Sequence, residues 1–148
     1  MNTMQTFMAY AADFEKTYAD DDWERIKKHF AADAVYEVRA RSFGCVLTGP
    51  DAIAAGLKKS LDGFDRRFDG RKIEIVDGPT VDGESLSTTW LVHYTKDGYD
   101  PFSLRGHSTA TCAGGKITRL VDTYEPSMEA EFVAWREANA LDVSPSYT

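Results

Sequence analysis

Residues 105–124 read Arg105-Gly-His-Ser-Thr-Ala-Thr-Cys-Ala-Gly-Gly-Lys-Ile-Thr-Arg-Leu-Val-Asp-Thr-Tyr124, and how this stretch folds back on itself decides the architecture. Gly114-Gly115 is the natural two-residue turn, because glycine reaches the positive φ values of a tight hairpin without steric cost. With those glycines as the turn, Ala113 faces Lys116, and counting outward puts His107 opposite Asp122. Cross-strand partners have Cβ atoms about 4.5–5.5 Å apart. The count therefore predicts an imidazole and a carboxylate meeting on one face of a sheet, the pairing a general base with an orienting acid requires. It also places Arg105 across from Tyr124 and puts Leu120 on the His107 face. The other face carries Leu104, Ala110, Ile117 and Val121, more apolar surface than a solvated sheet face leaves exposed. That face predicts a homodimer formed through the sheet.

Upstream, period-two alternation predicts strands over 71–76, 85–95 and 34–41, with Tyr36 on the last. Asp77-Gly-Pro79, Asp82-Gly83 and Lys96-Asp-Gly98 separate them with turn chemistry. Trp90, Val92 and Tyr94 share one face of 85–95, which leaves His93 pointing outward. Before and between these strands the period is helical. Phe7, Ala11, Phe14 and Tyr18 form one stripe, and Trp23, Ile26 and Phe30 a second after the capping run Asp20-Asp-Asp22. Thr48-Gly-Pro-Asp51 opens a third helix carrying Ile53, Leu57, Leu61 and Phe64. Ser127 opens a fourth, with Met128, Phe132 and Trp135 inward. The segment 142–148 has no periodicity and reads as a tail that is mobile or packs on a neighbour. Helices followed by a long meander imply an α+β fold: a curved antiparallel sheet wrapped around the N-terminal helices, cone-shaped, with a central pocket.

Composition narrows the partners. The 148 residues suit one domain over 1–148, large enough to bury roughly 68–70% of the unfolded surface without a metal or disulfide. Cys45 and Cys112 lie far apart, and the three histidines fit no zinc spacing, so neither a metal nor a cofactor is expected. A net charge of −7 argues against nucleic acid and anionic membranes. No long apolar run or secretory leader is evident, which points to the cytoplasm.

The order of elements, with Asp21-Asp-Trp-Glu-Arg-Ile26, Phe30-Ala-Ala-Asp-Ala34, Thr48-Gly-Pro-Asp-Ala-Ile53 and Gly115-Lys-Ile-Thr-Arg-Leu-Val-Asp122, resembles the SnoaL-like branch of the nuclear transport factor two-like superfamily. The resemblance implies an α+β cone around a pocket, often dimeric, in a group that includes polyketide cyclases, ketosteroid isomerases, limonene epoxide hydrolases, scytalone dehydratase and pure binding modules. Thr118-Arg-Leu-Val-Asp122 is similar to the strand that carries the catalytic aspartate of the cyclases, which makes Asp122 the implied acid–base residue and turns its face inward. The epoxide hydrolases need an Arg-x-Asp where this chain has Thr88-Thr-Trp-Leu-Val-His93, so their triad is absent. Tyr18 and Arg105-Gly-His107 resemble elements of scytalone dehydratase, although Ala19 stands where its aspartate is expected.

The reading is a cofactor-independent lyase, isomerase or cyclase moving protons on a small, mostly apolar molecule. His107, Asp122, Tyr36 and Tyr18 are the expected catalytic groups, and Trp23, Trp90, Arg105, Leu120 and Tyr124 the expected substrate contacts. The alternative is a non-catalytic small-ligand or dimeric accessory module, in which His107 and Asp122 only fix the hairpin.

Overall fold

A capping box opens the chain in this computed structural model, which describes residues 1–148: the Asn2 side chain accepts from the Gln5 N–H, and the Gln5 side chain reaches back to the Asn2 backbone. It starts α1 (Thr3–Asp20), which ends at Asp21 in a left-handed conformation. Helix α2 (Glu24–Lys27) is only one turn, so Phe30 begins strand β1 (Phe30–Arg39) instead of ending a helix. A short strand that alternation alone does not reveal, β2 (Cys45–Thr48), returns beside β1 before α3 (Pro50–Gly63). Pro50 sits in the first turn of α3, where a missing N–H costs nothing.

The rest is strand until the last helix: β3 (Gly70–Asp82), β4 (Ser85–Thr95), β5 (Phe102–Ala113), β6 (Lys116–Thr123), then α4 (Pro126–Asn139). Strand β3 runs past the expected turn at Asp77-Gly-Pro79, which is a register irregularity within the strand and not its end. Helix α4 begins at Pro126 with Glu125 in the N-cap position and no side-chain cap, so Ser127 lies inside the helix and does not cap it.

The six strands lie in the order β2-β1-β6-β5-β4-β3. Every pair is antiparallel except β1–β6, which is parallel, so the expected antiparallel sheet is in fact mixed. This brings the first long strand beside the last and makes the centre of the sheet out of both halves of the chain. The inner face closes over α1 and α3. Phe64, at the end of α3, is the hub: Phe68, Tyr94 and Phe132 meet its ring edge-on at 5.2, 5.0 and 5.3 Å. Truncating so buried an aromatic typically costs about 3–5 kcal/mol. No helix is long and apolar enough to cross a membrane.

The hairpin is the decisive correction. Gly114 and Gly115 do form the turn, with φ of 59° and 75°, and Ala113 does face Lys116. The register then slips. Cys112 pairs with Ile117 but Thr111 pairs with Arg119, leaving Thr118 as an extra residue whose hydroxyl donates to the Thr111 carbonyl. One inserted residue reverses the facing of everything beyond it on one strand relative to the other. Ser108, not His107, lies opposite Asp122, and His107 lies opposite Thr123. Leu104, Ala110 and Ile117 therefore face the core, and Val121 is buried too. The apolar outer surface expected to drive a dimer is not there.

The segment after Leu141 lies across α3. Val143 is 2% exposed, the Ser144 N–H donates to the Gly63 carbonyl (3.0 Å), and the Ser60 hydroxyl donates to the Pro145 carbonyl (2.8 Å).

Candidate active site

Beneath the sheet lies a cavity of about 170 Å³, walled by α1, α3, the inner face of the strands and the segment around Pro145 and Tyr147. Strand β5 makes room for it by presenting small side chains inward, Gly106, Ser108 and Ala110. Gly106 is required: a Cβ there would come within 2.3 Å of two indole carbons of Trp90. With its indole seated over Gly106, Trp90 donates its Nε1–H to Ser108 Oγ (2.9 Å). Ser108 Oγ lies 2.6 Å from Asp122 Oδ1, and the Tyr36 hydroxyl lies 2.6 Å from Asp122 Oδ2.

The donor sequence fixes the proton positions. An indole N–H can only donate, so Ser108 accepts from Trp90 and turns its own proton to Asp122. Asp122 thus receives donors on both oxygens, an arrangement that suits the carboxylate. None of these donors carries a charge. Burial in the apolar cavity pushes the Asp122 carboxyl above its ordinary value, partly opposed by the hydrogen bonds from Ser108 and Tyr36 and by His107 across the sheet. Burial and the nearby Asp122 charge hold the phenols of Tyr36 and Tyr147 above theirs, and burial dominates at Tyr124 as well.

A second polar group lines the same cavity. Asp65 Oδ2 receives the Tyr94 hydroxyl (2.8 Å) and Arg71 Nε (2.8 Å), while Arg71 Nη1 reaches Glu15 Oε2 (2.7 Å). The two carboxylates hold the Arg71 guanidinium above its ordinary value despite burial. Glu15 on α1 and Ile73 and Ile75 on the edge strand β3 line the cavity and are themselves well exposed, which locates its mouth between these two elements.

Of the residues expected at the site, Asp122, Tyr36, Trp90, Leu120 and Tyr124 line the cavity. His107 and Arg105 do not. The hairpin bulge leaves both exposed on the outer face, where His107 Nδ1 pairs with the Thr89 hydroxyl at 3.0 Å. Tyr18 lies outside the lining, its ring beneath the Arg71 guanidinium (4.9 Å), and Trp23 donates to Asp21 Oδ1 at the turn before α2. His93 points outward as expected, between Ser103 and Glu74.

Four contributors escape the sequence reading: Ser108, Asp65, Arg71 and Tyr147. Ser108 had a signal, since Leu104, Gly106, Ser108, Ala110 and Cys112 alternate strictly with polar or charged residues along β5. The other three sit in no motif.

The sequence profile of the SnoaL-like domain matches residues 11–120. This protein belongs to the SnoaL-like family. Within the nuclear transport factor two-like superfamily, solved structures share its cone. A ketosteroid isomerase-like protein from Catenulispora acidiphila, solved in complex with trimethylamine, is 18% identical over 92% of both chains with a TM-score of 0.64. A candidate polyketide cyclase from Pseudomonas putida is 17% identical over 97% of this chain and 99% of its own, with a TM-score of 0.60. An NTF2-like protein of unknown function from Burkholderia pseudomallei is 14% identical over 91% and 97%, with a TM-score of 0.68. At such identities the likeness is one of fold. No curated protein matches the chain. The SnoaL-like match stops short of Asp122, Tyr124 and Tyr147, whereas Tyr36, Asp65, Arg71, Tyr94 and Ser108 lie within it.

Proposed function

We propose that this SnoaL-like protein is a cofactor-independent proton-transfer enzyme, a lyase, isomerase or cyclase acting on a small, mostly apolar organic molecule, with Asp122 as its general base. One observation carries the reading. Asp122 is a carboxylate facing an aromatic cavity, held by neutral donors alone and with its affinity for protons raised by burial. A base of that kind combines a fixed position with a pKa moved toward the working pH, which is worth about 10²–10⁴-fold in rate.

Asp122 takes a proton from a carbon beside a carbonyl, and the electron pair moves onto the carbonyl oxygen. Tyr124 and Tyr147, phenols in the same lining, are the candidates to donate to that oxyanion. Return of the proton to a different carbon gives isomerisation. Departure of a β-hydroxyl as water, with the proton returned by Asp122, gives elimination. Attack of the enolate carbon on an internal carbonyl, whose new alkoxide takes that proton, gives cyclisation. The rival reading, a non-catalytic ligand-binding module, is favoured by the position of His107, which leaves the cavity without a second proton shuttle.

The test is deuterium uptake at the α-carbon of small enolisable cyclic ketones in D₂O, followed by NMR. Catalysed exchange lost in Asp122→Asn supports the enzyme. Binding of the same ketones without catalysed exchange supports the module.

A further inference from the structure

The charge class of the ligand can be read from the lining, given the reading of Asp122 as the centre of the cavity. Nine lining side chains are aromatic, Tyr36, Trp90, Tyr124 and Tyr147 among them. Three are carboxylates, Glu15, Asp65 and Asp122, and one, Arg71, is basic. Formal charge in the lining is therefore −2 (one positive, three negative) when all are ionised.

The arginine is not available to an anion. Its side chain is 6% exposed, its Nε is held by Asp65 and its Nη1 by both oxygens of Glu15. Its guanidinium also lies over the Tyr18 ring. Arg105, which the hairpin count would have offered to an anionic substrate, is on the outer face. An anion in this cavity would meet Asp122 with no free cation to offset it, and in a site of low dielectric that repulsion is poorly screened. A cation meets the opposite conditions. Asp122 has no cationic partner inside the cavity, and aromatic faces attract a desolvated ammonium through their quadrupoles.

We propose that the cavity is a site for a small organic cation, a protonated or quaternary amine whose charge lies among the aromatic walls within reach of the Asp122 carboxylate. The 170 Å³ of space accommodates a compact head group. Selection against carboxylates follows from the same lining, so the site discriminates by charge before it discriminates by shape.

Three near-isosteric probes test this: choline, the neutral 3,3-dimethylbutan-1-ol and the anion 3,3-dimethylbutyrate. Binding to the full chain is measured by calorimetry, with the Trp90 indole N–H resonance locating it in the cavity. The expected result is choline binding roughly tenfold more tightly than the alcohol, the scale of a desolvated cation–π contact, and no binding of the butyrate. Choline affinity should rise with pH, because the cation favours the ionised form of Asp122. In Asp122→Asn the preference for choline over the alcohol should shrink and its pH dependence disappear. Equal affinity for choline and the alcohol, tightest binding of the butyrate, or no choline binding at all overturns the proposal. Charge preference without catalysed deuterium exchange removes the enzyme and leaves this site standing. Exchange without charge preference does the reverse.

Discussion

Asp122 and Asp65 line one cavity and are both hydrogen-bonded to tyrosines, yet their surroundings make them opposites. Asp65 meets Arg71, whose charge answers its own, and Arg71 is answered again by Glu15. This cluster ties the turn after α3 to the edge strand β3 and to α1. Asp122 meets only neutral donors, and burial moves its titration upward. Asp65 is met by a full counter-charge and serves to join three elements of the fold, whereas Asp122 is met by neutral donors alone and burial raises its affinity for a proton. Position in a cavity therefore does not mark a chemical group; the charge of its partners does.

The sharpest way to break this contrast is Asp122→Asn. Turnover should fall about 10²–10⁴-fold, equivalent to about 3–5 kcal/mol of barrier, while the fold survives. The pH dependence of stability gives an independent check. Because the folded-state pKa is raised, folding favours protonated Asp122, and the cost of burying its charge appears as pH rises through that value. The melting temperature of Asp122→Asn relative to the natural protein should therefore be more favourable at pH 8 than at pH 4. Scanning calorimetry showing the reverse order would mean that Asp122 is stabilised as an ion.

Asp65→Ala tests the other side. Removing one member of a buried ion pair leaves Arg71 half-compensated and Tyr94 without its acceptor, a loss of about 3 kcal/mol or more. Denaturant titration should show this as a lower midpoint with an unchanged slope. A loss below about 1 kcal/mol would place the pair among weakly contributing surface bridges.

Ser108→Ala is subtler. The Ser108 hydroxyl favours the ionised form of Asp122, so its removal should push the carboxyl higher still. The acid limb of the pH–rate profile should move upward, with about 1 kcal/mol of stability lost for the missing hydrogen bond. A limb that stays in place would detach Asp122 from the observed titration.

The smallest effect is expected from His107→Ala. An exposed histidine bonded to Thr89 should change stability by less than about 0.5 kcal/mol and leave turnover nearly intact. A loss of 10²-fold would restore the imidazole to the chemistry and reject the observed hairpin register.

That last pair of outcomes shows what the amino-acid sequence can carry. The turn at Gly114-Gly115 was legible because few residues other than glycine tolerate its φ values, and Trp90, Val92 and Tyr94 were legible because β4 keeps its alternation unbroken. Asp122 was placed inward through the family resemblance, and it does face inward. His107 was misplaced because its facing was counted across the turn from Asp122, and a bulge at Thr118 has no side-chain signature. Read on its own, β5 gives the correct face. Counting errors pass across a turn, whereas periodicity within a strand does not. The ion cluster of Asp65, Arg71 and Glu15 was invisible for another reason: its members come from three separate elements, and only tertiary packing joins them.

The parallel pairing of β1 with β6 has a consequence for folding kinetics. Tyr36 and Asp122, 86 residues apart, meet only once the early strand has docked against the late one. Trp90 and Ser108 belong to the local β4–β5 meander, which can pair before that docking. Loop-closure entropy makes the long-range pairing the slow one. During refolding, the indole of Trp90 should reach its native environment before the Tyr36–Asp122 bond closes. The Tyr36–Asp122 contact would then be the last feature of the cavity to form and the first that local loosening between the two halves of the chain removes.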